Sequence, residues 1–178
     1  MVDKIGFSTG GYAAKYGDKM SSALDITYKT LKAKSKKPVV EGSLAASLLG
    51  ADAYIGLGTQ KLSWLNSVRY KTTSYLLGSM ETKGEYKPNY LDYQTYLSYQ
   101  PNKRWKLDFI GYISDNHYNF EPEDRETKFG TMENVKSFRV YFDGQEKDRF
   151  LTYFGTLGIT RQFTANTSLS LLLGKIGR

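Results

Sequence analysis

The chain has 178 residues, enough for one domain with a hydrophobic core, and it carries a formal net charge of +7. It has no cysteine and a single histidine, which excludes disulfide frameworks, thiolate or multi-histidine metal sites and His-based catalytic triads. Tyrosine, with 15 copies against 9 of phenylalanine, favours strands over helices.

Much of the positive charge lies in one run. Residues 29–37, KTLKAKSKK, contain five lysines and no acidic residue. Because no aromatic side chains are interleaved for stacking on bases, the run predicts a solvated linker and no nucleic-acid partner. No stretch approaches the roughly 18 consecutive apolar residues of a transmembrane helix, and the first residues lack a signal-peptide pattern. The chain is therefore expected to be cytosolic or part of something longer.

From residue 40 onward, apolar residues recur with a period of two, which predicts an all-β fold. The candidate strand segments lie at 42–49, 51–58, 62–72, 90–100, 104–120, 137–142, 149–163 and 168–174. Together they are expected to supply about seven strands of one sheet. The Asp143-Gly144 pair favours a hairpin between segments 137–142 and 149–163.

The two faces of these strands differ in polarity. Alternation predicts one outward apolar band and an opposite polar face, the band comprising Leu91, Tyr93, Leu97, Trp105, Leu107 and Phe109. Short connections alternate with long loops at 73–89 and 121–148. This combination is typical of outer-membrane β-barrels, whose polar face lines the lumen. Soluble β-sandwiches and lipocalin-like barrels alternate in the same way, so periodicity leaves both classes open.

A family resemblance lies near the N-terminus. Tyr16-Gly17 is followed by residues 21–29, SSALDITYK. This resembles the plug-domain end of TonB-dependent outer-membrane receptors of the Bacteroidetes-type branch, which reads Tyr-Gly, then Gly-Gly-Val-Ile-Asn-Ile, then Thr-Lys. Serines replace the glycines here, Asp25 replaces the asparagine and Tyr28 is inserted. Segments 68–99 and 128–155 are also similar to that branch.

The resemblance implies a partial transmembrane β-barrel of antiparallel up-and-down strands, preceded by the last strand of a plug domain. Residues 1–29 would end the plug, 30–41 would form a lysine-rich linker, and 42–178 would form N-terminal barrel strands with extracellular loops at 73–89 and 121–148. Because the family's barrel has about 22 strands around a plugged lumen, the chain is expected to be a fragment.

The implied function is import of a nutrient or chelate across the bacterial outer membrane by energy-coupled rearrangement of the plug. The implied partners are outer-membrane lipid, an inner-membrane energy-coupling protein that grips a segment upstream of Met1, and a small ligand, which could be a siderophore, cobalamin, glycan or peptide. A surface lipoprotein is a further candidate partner. No cofactor is expected.

Ligand contacts in this family come from the plug, the lumen and the outer loops. The candidates are Tyr12 and Tyr16 near the plug end, the lumen-facing Arg69, Asp92, Gln94 and Tyr96, and the loop residues Tyr118 and Arg125. Each could instead serve loop packing or lumen hydrogen bonding. Other aromatic residues are expected at the membrane interfaces, namely Tyr75, Tyr90, Tyr93, Tyr99 and Trp105.

Two other classes of function stay open. One is a soluble or surface β-sheet module that binds a glycan or protein through exposed tyrosines. The other is a glycosidase that uses paired carboxylates, drawn from Asp115, Glu121, Glu123 and Asp124. Because these acids cluster in one loop, where solvation is the commoner role, the chain is not expected to be an enzyme. Residues 143–148, DGQEKD, lack the ligand spacing of a calcium loop.

Overall fold

The computed structural model describes residues 1–11, 16–17, 21–73, 84–122, 125–131, 134–141, 144 and 146–178. These residues form twelve β-strands: β1 (Val2–Ser8), β2 (Ala23–Tyr28), β3 (Val39–Ser47), β4 (Gly50–Gly58), β5 (Leu62–Thr72), β6 (Gly84–Tyr86), β7 (Asn89–Asn102), β8 (Trp105–Pro122), β9 (Arg125–Thr131), β10 (Asn134–Val140), β11 (Glu146–Gln162) and β12 (Ser168–Gly177). No helix in this described part is long and apolar enough to cross a membrane.

Seven strands form one antiparallel meander in the order β3-β4-β5-β7-β8-β11-β12, and the short β6 pairs with the end of β8. The prediction of an all-β chain with up-and-down antiparallel strands is confirmed. Two smaller two-stranded sheets, β1–β2 and β9–β10, accompany the meander. Within the described residues the large sheet is open, and β3 and β12 are its edges.

The predicted hairpin at Asp143-Gly144 is wrong. β10 pairs with β9, and β11 pairs instead with β8 over a register that runs from Glu146↔Phe120 to Arg161↔Trp105. The predicted hairpin required β10 to be the neighbour of β11. Because β8 pairs with β11 along nearly its whole length, β8 is that neighbour instead. Since β9 and β10 pair with each other, the loop expected at 121–148 contains a two-stranded antiparallel sheet.

The connections at the two ends of the sheet differ in length. Short connections at residues 59–61, 103–104 and 163–167 lie at one end, which we call the short-turn end. Residues 73–88 and 123–145 join strands at the opposite end, where the β3–β4 turn at 48–49 is the short exception. Antiparallel pairing of consecutive strands places alternate connections at opposite ends of the sheet.

The strand register gathers apolar residues on one side of the sheet, which we call the apolar face. A single row of paired positions crosses all seven strands and is apolar throughout: Val40, Leu57, Trp64, Leu97, Phe109, Leu157 and Leu173. The six residues predicted as an outward band share this face, and Leu91, Tyr93, Trp105 and Phe109 among them are exposed. Tyr90 is the exception among the expected interfacial aromatics, because it alternates with Leu91 and lies on the polar face.

Buried apolar side chains lie instead on the polar face. Leu31, Leu65 and Tyr96 form a small buried cluster, with Tyr28, Tyr54 and other half-buried residues packed against it. Leu31 belongs to the chain segment between β2 and β3, so this core joins the sheet to the segment that precedes it. A sheet whose polar side holds the core and whose apolar side is exposed is the reverse of the usual arrangement in a soluble protein.

Candidate functional site

Residues 28–33, which we call the docked segment, cross the polar face near the short-turn end. The ring of Tyr28 stacks on the ring of Tyr96, with centroids 4.7 Å apart and an interplanar angle of 19°. The Gln94 Nε2 donates to the Tyr28 hydroxyl at 2.7 Å. Burial raises the pKa of Tyr28 above its ordinary value, and the hydrogen bond from Gln94 opposes this shift. The stacked pair therefore holds the end of β2 against β7.

Leu31 is the buried anchor of the docked segment. Its backbone N–H donates to the Ser63 Oγ at 2.9 Å, and its side chain lies over two glycines of β4. A Cβ at Gly56 would lie 2.6 Å from the Leu31 Cδ1, and one at Gly58 would lie 2.7 Å from the Leu31 Cβ. A Cβ at Gly58 would also lie 2.7 Å from the Leu31 carbonyl oxygen, so Gly58 is required for this close approach, whereas a Cβ at Gly56 would come this close only to the ends of the Leu31 and Tyr54 side chains, which can shift.

The expectation of a solvated linker is therefore wrong for its first half. Leu31 and Ala33 are both buried, and the Ala33 N–H donates to the Thr59 carbonyl at 3.2 Å. Lys29 forms an ion pair of 2.6 Å with Glu41, which also accepts from a tyrosine hydroxyl. Residues 34–37 are exposed, as predicted.

A second group on the polar face is centred on Asp92, which is 8% exposed. Arg69 Nε donates to Asp92 Oδ2 at 3.0 Å, while Ser114 Oγ at 2.6 Å and Tyr112 OH at 3.1 Å donate to Oδ1. These donors come from β5 and β8, the two neighbours of β7. An open depression of about 290 Å³ lies over this group and is also lined by Tyr90.

The structure brings some predicted site residues together and separates others. Arg69 pairs with Asp92, and Gln94 and Tyr96 both contact Tyr28. Tyr16 hydrogen-bonds to Asp25 of β2, and Tyr118 lies on β8 opposite Asp148. Five positions named from the sequence lie outside the described residues, as do the side chains of Glu121 and Arg125: Tyr12, Tyr75, Glu123, Asp124 and Asp143.

The candidate site residues named from the sequence do not include Tyr112 or Ser114, the two β8 donors to Asp92. The signal was present, because the turn after β7 fixes the register that sets Ser114 opposite Asp92. The role of Tyr28 and Leu31 in docking was also missed. In residues 31–34 the apolar Leu31 and Ala33 alternate with lysines. This period of two predicts an extended segment with one buried side, and it could have indicated the docking.

Comparisons with known proteins give no assignment. No family model, curated protein or solved structure matches the chain. Among the described residues there is also no group of three or more potential metal ligands. The chemistry available on the polar face is therefore hydrogen bonding, ion pairing and aromatic stacking, which suits binding.

Proposed function

We propose that the seven-stranded meander is part of the wall of an outer-membrane β-barrel of the TonB-dependent transporter type, which imports a nutrient or chelate. The observation that carries this proposal is the exposed apolar face, with the preceding chain segment docked on the opposite, polar face. In such a transporter the apolar face contacts lipid, and the polar face surrounds the plug.

The extent of the apolar face supports contact with lipid. On β7 it runs from Leu91 to Tyr99, nine residues that span about 26 Å along the strand, or about 20 Å in height at a tilt of ~40°, which approaches the ~25 Å height of the apolar band of outer-membrane barrels. Many large side chains on it are over a third exposed, including Leu44 at 81%. Soluble monomers rarely expose a contiguous apolar patch larger than a few hundred Å².

Two pairs of polar side chains within this face hydrogen-bond to each other. The Trp64 Nε1 donates to the Thr95 Oγ1 at 3.0 Å, and the Tyr93 hydroxyl donates to the Asn66 Oδ1 at 2.9 Å. Both bonds join β5 to β7 near the middle of the band. An unpaired donor in a bilayer core costs several kcal/mol, so this pairing makes the four residues compatible with a lipid environment.

Arg161, Arg149 and Asp115 are charged residues of the apolar face that lie near its ends. Arg161 stacks over Trp105 and Phe163 at the short-turn end, with its Cζ 5.0 Å and 4.7 Å from the two ring centroids. At the other end, Arg149 forms an ion pair of 2.7 Å with Asp115. Aromatic and cationic side chains at band edges are typical of membrane interfaces.

The band also shifts along the strands from one edge of the sheet to the other. On β3 its apolar residues include Val40 and Leu44, which align through the register with Leu97 and Tyr93. On β12 the residue that aligns with Thr95 of β7 is Lys175, so the apolar band of β12 ends before this row. The band on β12 therefore lies closer to the short-turn end than the band on β7. Strands that are tilted in a bilayer need a diagonal band of this kind.

The two tryptophans give a direct test, because both lie on the apolar face. Trp105 is the apolar residue of β8 that lies closest to the short-turn end, so it marks the end of the band on that strand. On β5 the band ends at Leu62, and Trp64 lies two residues farther into it. Two residues of strand at a tilt of ~40° correspond to about 5 Å of depth. We would reconstitute the Trp64→Phe and Trp105→Phe variants in vesicles and measure fluorescence quenching by lipids brominated at different positions along the acyl chain.

Both tryptophans should be quenched by brominated lipid and protected from aqueous iodide, with Trp64 quenched at the greater depth. A soluble or surface binding module makes the opposite prediction, namely quenching by iodide and no response to brominated lipid. The ligand and the inner-membrane coupling protein are proposed here from the transporter type alone. Uptake experiments with siderophore, cobalamin, glycan and peptide substrates would identify the import class.

A further inference from the structure

A small basic pocket lies on the polar face at the short-turn end, beside the docked segment. It has a volume of about 120 Å³ and is lined by residues from four places in the chain: Thr30, Lys32, Lys61, Leu62, Ser63, Ser98, Gln100 and Lys106. The docked segment contributes Lys32, the β4–β5 turn contributes Lys61, and β8 contributes Lys106. The pocket is therefore formed only when the segment is docked on the sheet.

Cationic charge exceeds anionic charge around this pocket. Three lysines line it, and no acidic residue occurs among the described lining residues. Lys106 forms an ion pair of 2.8 Å with Asp108, just outside the lining, while Lys32 donates to the neutral Gln100 amide at 3.2 Å. One carboxylate therefore faces three ammonium groups, an arrangement that attracts an anion.

The floor of the pocket carries a buried hydroxyl with a free hydrogen. Ser63 is 2% exposed, and its Oγ accepts the N–H of Leu31. Within the described part of the chain, this hydroxyl donates no hydrogen bond of its own. Since a buried donor without an acceptor is costly, an acceptor in the pocket would complete the hydrogen bonding of Ser63.

We propose that this pocket binds one oxyanion of the size of a phosphate group. The volume suits a single such group, the lysines neutralise its charge, and Ser63 supplies a donor from the floor. The group could come from free phosphate or from a phospholipid headgroup, which share this chemistry. The inference depends on the pocket and not on the proposed transport function.

A bound oxyanion would also join the docked segment to the sheet, because Lys32 belongs to the former and Lys61 and Lys106 to the latter. A ligand that binds the docked form alone stabilises it by mass action. Detachment of residues 28–33 would then become less frequent as phosphate is added. The docked segment contains Lys29 and Lys32, so its detachment can be measured as trypsin cleavage after these two residues.

The test compares the parent chain with Lys61→Gln, Lys106→Gln and a matched control, Lys103→Gln, whose lysine is at the same end of the sheet but does not line the pocket. Each is folded in neutral detergent, and cleavage after Lys29 and Lys32 is followed by mass spectrometry during titration with phosphate or with chloride at equal ionic strength. A parallel titration replaces free phosphate with phosphatidylglycerol in the micelle.

Phosphate should slow cleavage of the parent and of Lys103→Gln. Loss of one charge-assisted contact should weaken phosphate binding about tenfold in Lys61→Gln and Lys106→Gln. Protection by phosphatidylglycerol alone would assign the group to a lipid headgroup, and protection by free phosphate to the soluble anion. Equal protection by chloride, equal weakening in Lys103→Gln, or no protection by either phosphate source would overturn the proposal.

Discussion

Placing a charge on the apolar face should separate a membrane wall from a soluble sheet, and Leu157→Lys is the sharpest such change. Leu157 lies on β11 in the fully apolar row, between Phe109 and Leu173, and is 37% exposed. Its neighbour Thr156 points to the polar face, so Thr156→Lys adds the same charge to the other side.

The depth of Leu157 sets the size of the effect. It lies four residues from Arg161, which is about 13 Å along the strand and about 10 Å in height at a tilt of ~40°. That is close to the middle of a ~25 Å band, where lysine costs about 2–4 kcal/mol. The inserted fraction should fall by roughly 30-fold or more. On a soluble sheet the same exposed position should respond within about ±0.5 kcal/mol.

Urea titration from phospholipid vesicles, followed by tryptophan fluorescence, measures this cost. Leu157→Lys should lower the urea midpoint strongly, whereas Thr156→Lys should have a much smaller effect. The two variants carry equal charge, so the difference between them reports the environment of each face. A neutral or stabilising Leu157→Lys, or a parent chain that is monodisperse in buffer without detergent, would refute the membrane wall.

Three further predictions concern separate contacts. Leu31→Ala should cost about 2 kcal/mol of docking and speed hydrogen exchange at its own amide about 30-fold. The hydrogen bond and ion pair from Arg139 lower the pKa of Glu126, so this contact's contribution to β9–β10 pairing should be fully present above the ordinary glutamate pKa and be lost as pH falls through the lowered pKa; NMR shifts should show no such change in Arg139→Gln. Arg69→Leu and Asp92→Leu should each lower the urea midpoint, and the double variant should be less destabilised than their sum.

Each of these has an outcome that would contradict it. Leu44→Ala, on the opposite face, is the control for Leu31→Ala and should leave exchange at Leu31 unchanged; equal effects would show that docking is not specific. A hairpin that loosens equally with acid in Arg139→Gln would remove Glu126 as the cause. Additive single variants would mean that the contact between Arg69 and Asp92 contributes nothing to stability.

The period-two pattern predicted the meander well because one face had to be consistently apolar. Segment 62–72 was predicted with the bounds that β5 has, and the strands on either side differ from prediction by a few residues at their ends. A shift of one residue would exchange the two faces, so alternation determines which side each residue occupies. Tyr90 was misplaced because it was assigned by residue type, although alternation with Leu91 sets it on the polar face.

Docking could not be predicted with the same ease because two strong local signals pointed elsewhere. The lysines of 29–37 suggested solvation, although a lysine next to a buried residue keeps its ammonium group in water. A glycine inside a strand usually weakens it, but the missing side chains of Gly56 and Gly58 make room for Leu31. The correct interpretation of the lysines and of the glycines depends on contacts between Leu31 and residues distant in sequence. Local sequence patterns do not report such contacts.

The docked segment also divides the polar face, and this bears on how a ligand could use it. Toward the short-turn end, Gln94 and Tyr96 are engaged by Tyr28, while the opening over Asp92 lies farther along β7. If the face lines a transport path, a ligand meets the Asp92 group first and reaches Gln94 and Tyr96 only after the docked segment leaves. Detachment of the docked segment would expose Leu31 and break its hydrogen bond to Ser63, so it costs free energy. In a transporter that free energy would have to come from outside the barrel.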